Sequence, residues 1–365
     1  MRIDARAGLW SFGPTPAQPP AVAVLEVAGA VLEWTVDDPA GLAATLVTVT
    51  DIAAAQWLWR LVGARGHNAL VDALGGEVVD DSVDLPGIEL DADALLPLRR
   101  LAVGHWARRW WPGSLRDGIP TLDAALLDAE VALLATAAQD YFDDDALDAD
   151  VAGLLAPHQA ALLAHRRDGD PRVVELVDAC AEVADDAGVW DVDAAVPASA
   201  RRADYALAAG GRGGRTQPSV ASGVGSIDWA AVPAGLFDAA DDTVQWRVDV
   251  TDTGAVATVR VATAGTRPAA GVPVRLRSGG VSGAGVLDDD GLARFDLAGD
   301  TGPVVEVVAW THDWAPTTVS VGADVDPAPD ADVMRRRIRD YARGRLARPG
   351  ADAFLAEILA AEADY

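Results

Sequence analysis

The stretch "GVLDDDGLARFDL", Gly285–Leu297, sets three consecutive aspartates in front of a glycine, and two readings compete for it. A helix-loop-helix calcium loop needs oxygen ligands at alternate positions, its glycine sixth and a bidentate glutamate twelfth. Counting back from Gly291 puts Val286 in first place, so that loop fails. As a turn, Asp290-Gly291 supplies the positive backbone angles of a tight hairpin between "AGVL" and "LARFDL". The turn makes this region a β-structure; calcium gathered from several loops is the alternative.

Outward from that turn the period is two. "TVQWRVDV" (Thr243–Val250), "AVATVRVA" (Ala255–Ala262), "VPVRLRS" (Val272–Ser278), "GLARFDL" (Gly291–Leu297), "PVVEVVAW" (Pro303–Trp310) and "TTVSVGA" (Thr317–Ala323) are short alternating segments separated by turn residues. They predict an antiparallel β-sandwich over residues 227–326. Within it "AGVPVRLRSGGVSGAGVLDDDGLARFDLAG", Ala270–Gly299, resembles bacterial immunoglobulin-like or transthyretin-like modules related to carboxypeptidase regulatory domains. The resemblance implies a fold and brings no catalytic residue with it.

Before the sandwich lies "AAGGRGGRTQPSVASGVGS", Ala208–Ser226, dense in glycine and serine, which predicts a flexible linker over 208–226. A phosphate loop would need a glycine-lysine pair, and the chain has no lysine. Upstream, valine-rich and threonine-rich runs (Ala21–Val36, Ala44–Thr50) and a helix capped by Asp51 predict a small α+β unit over 1–88. Helices capped by Asp91 and Thr121, with further periodic runs at Ala146–His165 and Val173–Ala184, predict a helical bundle over 89–207. Residues 327–365 read as two amphipathic helices broken at Pro349-Gly350. The expected class is therefore multidomain α+β.

Composition narrows the functions. With 365 residues, half of them apolar, the chain can bury more than one core. Its net charge of -27 repels phosphate backbones and anionic membranes, which argues against a nucleic-acid or membrane partner. Cys180 is the sole cysteine, so neither an intrachain disulfide nor a cysteine zinc cluster can form. No signal-like start and no apolar run of membrane-spanning length are evident, and the expected location is the cytoplasm.

The candidate sites each have a plain counterpart. Asp144, Asp145 and Asp148 in "YFDDDALDAD" have the spacing that puts three carboxylates on one side of a helix, where they could hold magnesium. The spacing resembles the first metal motif of isoprenoid synthases, whose second motif is missing, and helix capping explains the same residues. His158 and His165 share a helical face without a third ligand, and Cys180 sits in an apolar stripe far from any base. "HWARRWWPG", His105–Gly113, mixes tryptophan and arginine as binding hot spots do, with Trp111 the member expected at the surface.

"MRRRIRDYARGRLAR", Met334–Arg348, carries seven arginines. Met334, Ile338, Tyr341 and Leu346 fall on one face and Arg335, Arg336, Arg339 and Arg343 on the other. Either the arginines form an interaction site, or the apolar stripe docks on the chain itself and the arginines pair with acids such as those of Asp143–Asp150. With no convincing nucleophile, base or metal set and no cofactor called for, the sequence suggests a non-enzymatic adaptor or accessory protein that binds another protein. A magnesium-dependent enzyme built on Asp144, Asp145 and Asp148 is the alternative.

Overall fold

The computed structural model describes residues 1–6, 9–75, 82–142, 147, 149–186, 188–190, 219–265, 267–300, 302–325 and 330–363. Helices and antiparallel sheets coexist in it, so the class is mixed α+β. Two compact units divide the chain: the described residues of Met1–Trp111, Leu122–Val192 and Asp332–Tyr365 form the first, and those of Pro112–Thr121 and Asp193–Ala331 the second.

The first unit opens with strands β1 (Arg2–Arg6), β2 (Leu9–Phe12), β3 (Val22–Val27), β4 (Ala30–Thr35) and β5 (Leu46–Val49), then helix α1 (Trp59–Gly75) and strand β6 (Ser82–Asp84). These strands make one antiparallel sheet in the order β3-β4-β5-β2-β1-β6. Gly29 turns β3 into β4 at φ 75°, and a Cβ there would lie 2.1 Å from the Asp51 carbonyl oxygen, so no other residue fits without rearrangement. Helices α2 (Ala92–Trp110), α3 (Ala124–Tyr141), α4 (Val151–Leu155), α5 (Gln159–Asp168) and α6 (Pro171–Asp186) follow. Asp91 caps α2 as expected, accepting from the amides of Asp93 and Ala94. Asp123 rather than Thr121 caps α3: the helix begins at Ala124, and the Asp123 carboxylate accepts from the Leu126 amide.

The second unit contains β7 (Ala221–Gly225), β8 (Val244–Thr251), β9 (Gly254–Val261), β10 (Pro273–Ser278), β11 (Val281–Val286), β12 (Leu292–Asp296), β13 (Ala298–Gly299), β14 (Gly302–Pro303), helix α7 (Glu306–Thr311) and β15 (Thr318–Val321). They form two antiparallel sheets, β12-β9-β8-β7 and β14-β13-β11-β10-β15. Val248, Ala257, Val259 and Phe295 of the first share an apolar core with Val274, Leu276, Val281 and Val321 of the second. The alternating strands supply this core through their inward parity, which is visible as the e-B-e-B burial along β10.

The aspartate triplet turns the chain, though not within a hairpin: β11 and β12 belong to different sheets, so the turn carries the chain from one sheet to the other. Asp288 Oδ1 accepts from the amides of Asp290 and Leu292, at 3.0 and 2.8 Å. Gly291 stands at φ 72°, where a Cβ would meet the Val261 carbonyl oxygen at 2.5 Å.

The chain then returns to the first unit with α8 (Ala331–Ala347) and α9 (Leu355–Ala363), broken at Pro349-Gly350 as its sequence requires. Here Trp106 donates to the Pro20 carbonyl oxygen at 2.6 Å and meets Tyr341 edge-on, ring centroids 5.6 Å apart. The expected boundaries therefore differ in three places. The 1–88 range, the parts of 89–207 up to Trp111 and from Leu122 to Val192, and the C-terminal helices share one unit, since α8 and α9 bury apolar faces there, while Pro112–Thr121 belongs to the second. The range 208–226 includes strand β7, which pairs with β8 at Gly223↔Trp246, while 208–218 lies outside the described residues. Finally, "PVVEVVAW" contains a helix in place of a strand: the main chain of Val304 is bonded to Leu297 and Ala255, and Val305 then accepts the first helical bond, from Ala309. Among the described residues no helix is long and apolar enough to cross a membrane.

Candidate interaction surface

Helix α7 is short and is anchored on one side only. Ala309 is fully buried, and the Trp314 indole, itself buried, donates to the Ala309 carbonyl oxygen at 2.9 Å. His312 fastens the exit: its Nε2 lies 3.1 Å from Ser278 Oγ, and its ring packs edge-on against Trp314 at 4.5 Å. The other face is bare. Val305, Val307, Val308 and Trp310 are 55%, 72%, 46% and 50% exposed. These four are among thirteen exposed large apolar side chains in the described residues, so nearly a third of them fall within six positions. Surface apolar residues scattered singly are ordinary, whereas a contiguous group containing tryptophan is the composition of a binding hot spot. Glu306 lies within the helix and Asp300 and Asp313 flank it, with no arginine between Arg294 and Arg335 in the sequence. The sequence around the patch is therefore acidic.

A polar cluster in the first unit offers different chemistry. Arg108 grips Asp128 through Nε at 2.6 Å and Nη2 at 3.3 Å, and His158 Nε2 stands 3.1 Å from Asp128 Oδ2. His105, one turn before Arg108 on α2, opens on a groove of about 470 Å³ lined by Leu25, Leu101, Asp150 and Leu154. Burial lowers the His105 imidazole pKa below its ordinary value and the Arg108 charge lowers it further, against an upward pull from Asp128. A neutral imidazole in a groove can accept a proton, but among the described residues the groove lining includes no hydroxyl or thiol nucleophile. The cluster's carboxylate is engaged by an arginine and a histidine, an arrangement that joins α2, α3 and the 156–158 turn.

The residues singled out from sequence separate in the structure. His158 faces Asp128, while His165 Nε2 faces Asp123 Oδ2 at 2.9 Å, so the two histidines serve different partners. Cys180 is buried with its thiol toward the Ala129 carbonyl oxygen, and burial, with the nearby Glu130 charge, pushes its pKa up to about 12. Asp144, Asp145 and Asp148 lie outside the described residues. Among the described residues no group of three or more histidine, cysteine, aspartate or glutamate side chains is placed to hold a metal ion.

Trp111, expected at the surface, is buried and packs edge-on against Trp106. Arg335 and Arg339 are also buried, because the inward face of α8 runs through Arg335, Ile338, Arg339 and Ala342 and takes in two arginines from the expected outer face. Arg336 is exposed, and Arg343 pairs with Asp340 at 3.0 Å. Arg337 of α8 reaches a residue far away in the sequence: its Nε and Nη2 each lie 2.5 Å from a carboxylate oxygen of Asp37.

The α7 patch escaped the sequence reading because Val304, Val305, Val307 and Val308 are apolar at both parities. That absence of strict alternation was the available signal that this was no half-buried strand. Comparison of the chain with family profiles, curated proteins and solved structures gives no match.

Proposed function

We propose that the protein is a non-enzymatic adaptor or accessory protein of the cytoplasm that binds another protein through α7, presented on an immunoglobulin-like sandwich that follows a helical region. The observation that carries this reading is the exposed group Val305, Val307, Val308 and Trp310 on a helix whose opposite side is anchored by Ala309 and Trp314. An apolar anchor beside Glu306, Asp300 and Asp313 favours a partner with basic side chains around an apolar centre. A second copy of this chain is disfavoured, since both copies would carry a charge of -27. Nucleic acid and anionic membrane are disfavoured for the same reason.

Selection of phage-displayed peptides on the intact protein tests the reading, with Val307→Ser/Trp310→Ser protein for counter-selection. Recovered peptides should pair an aromatic or aliphatic anchor with lysine or arginine and should lose binding to the double variant. Peptides that bind both proteins equally would refute the assignment to α7.

A further inference from the structure

The four-stranded sheet of the second unit carries arginines on its outer face. On its outer face the register sets Arg247 of β8 opposite Thr258 of β9, and Thr258 opposite Arg294 of β12. Arg260 lies two residues along β9, facing the same way. Strand spacing places Arg247 and Arg294 about 10 Å apart across Thr258, with Arg260 about 7 Å along the strand. Arg247 is bonded to Asp249 at 3.1 Å, whereas among the described residues Arg260 and Arg294 have no ion pair, and all three arginines are exposed. A shallow groove of about 510 Å³ runs past Ser222, Gln245, Arg247, Thr258 and Arg260.

Asp249 and Asp296 share this outward parity, and Asp249 is taken up by Arg247, so Arg260 and Arg294 are the positions on the face open to an external anion. The guanidinium fork fits carboxylates in bidentate fashion. Exposed charges are screened beyond about 8–10 Å at physiological salt, so a short segment with two or three carboxylates can meet Arg260 and Arg294 without extending over the acidic remainder of the chain. A long polyanion such as nucleic acid would extend over the acidic remainder and be repelled. We infer that this face docks a short acidic segment of a partner protein. It stands apart from α7, whose acidic surroundings suit a basic partner, so two partners of opposite charge can be held by one unit.

The test is fluorescence anisotropy at physiological salt with a labelled Gly-Glu-Glu-Glu-Gly peptide, its Gln counterpart and a single-stranded oligonucleotide. The Glu peptide should bind the intact protein in preference to the other two. Arg260→Glu/Arg294→Glu should weaken that binding about tenfold or more, while Trp310→Ser leaves it unchanged. If the charge-reversed protein fails to fold, as judged by its thermal transition, Arg260→Gln/Arg294→Gln replaces it with the same expectation. Equal binding of Glu and Gln peptides, preference for the oligonucleotide, an unaltered double variant, or loss of binding in Trp310→Ser would each overturn the inference.

Discussion

In the first unit Trp57, Trp106, Trp111, Arg335 and Arg339 turn inward, although Trp59 and Arg336 stay exposed. Trp106 is buried against Trp111 and Tyr341 with its indole nitrogen bonded, and Arg345 is clamped onto Glu357, whose side chain is almost wholly buried. In the second unit Trp314 is buried as well, but Trp310 is half exposed and Arg260 and Arg294 are exposed without ion pairs among the described residues. Composition of a short segment therefore says little about whether it binds. "HWARRWWPG" looks more like a hot spot than "PVVEVVAW" does, yet its tryptophans serve mainly to hold helices together. What separates them is whether the partner groups are already supplied by the chain.

The sharpest way to break this comparison is to remove one self-supplied partner. Arg345 Nε and Nη2 lie 2.5 and 2.7 Å from the two oxygens of Glu357, which also accepts from the Phe354 amide at 2.8 Å. Arg345→Ala strands that carboxylate in the interior, and the expected loss is about 3–5 kcal/mol by urea unfolding. Arg345→Met/Glu357→Leu should lose less than the single variant, because the buried carboxylate goes with its partner and Asp352 keeps Arg99. A single-variant loss below about 1 kcal/mol would mean that this ion pair does not hold the tail.

Next in size is the docking of α8. Ile338 is fully buried, so Ile338→Ala should cost about 2–5 kcal/mol. Arg337→Ala breaks a partly exposed pair with Asp37 and should cost about 1 kcal/mol. If the arginine change proves the larger, charge rather than the apolar stripe fastens this helix.

Acidity sharpens the same contrast. Burial raises the Asp352 pKa, but Arg345 at 3.1 Å and Arg99 at 3.6 Å outweigh it, and the net position is below the ordinary value. A depressed carboxylate contributes stability that is present above its unfolded pKa and lost as pH falls through its folded pKa. Asp352→Asn should therefore lower the melting temperature at neutral pH and make its decline in acid shallower, the two curves converging at low pH. Glu130 works in the opposite sense: burial raises its pKa, despite the Leu355 amide and Arg100, so its contribution is lost as pH rises through the folded value. Parallel melting curves for wild type and Asp352→Asn would contradict the assignment.

Much of this architecture was legible in the sequence. Strands β8, β9, β10, β12 and β15 declared themselves by alternation, and Asp91 and Pro349-Gly350 marked helix ends by local chemistry that tertiary packing left in place. What was illegible depended on distant partners. Nothing local to "GVLDDDGLARFDL" reveals that its two arms join different sheets, since β12 pairs with β9 more than thirty residues upstream. Helical spacing placed Arg335 and Arg339 outside, but the inward arc of α8 proved wide enough to include them. The α7 surface was missed because a valine-rich run satisfies helix and strand patterns alike, and only the anchoring of Val304, Ala309 and Trp314 decides between them.

The smallest effect on stability is expected where the largest effect on binding lies. Trp310→Ser removes a side chain whose exposed half makes no contribution to the core, while Ala309 and the Trp314 bond to it keep α7 in place. Its unfolding free energy should change by about 0.5 kcal/mol or less, as for a surface substitution. Trp106→Ser, by contrast, removes a buried indole, its bond to Pro20 and its ring contacts, and should cost about 3–5 kcal/mol. The pair sets one residue type in two situations under one measurement. If Trp310→Ser proves as destabilising as Trp106→Ser, α7 is part of the packed interior and the interaction reading loses its support. If Trp310→Ser is neutral to unfolding yet abolishes binding of the selected basic peptides, the exposed indole is there for a partner, because nothing within the fold requires it.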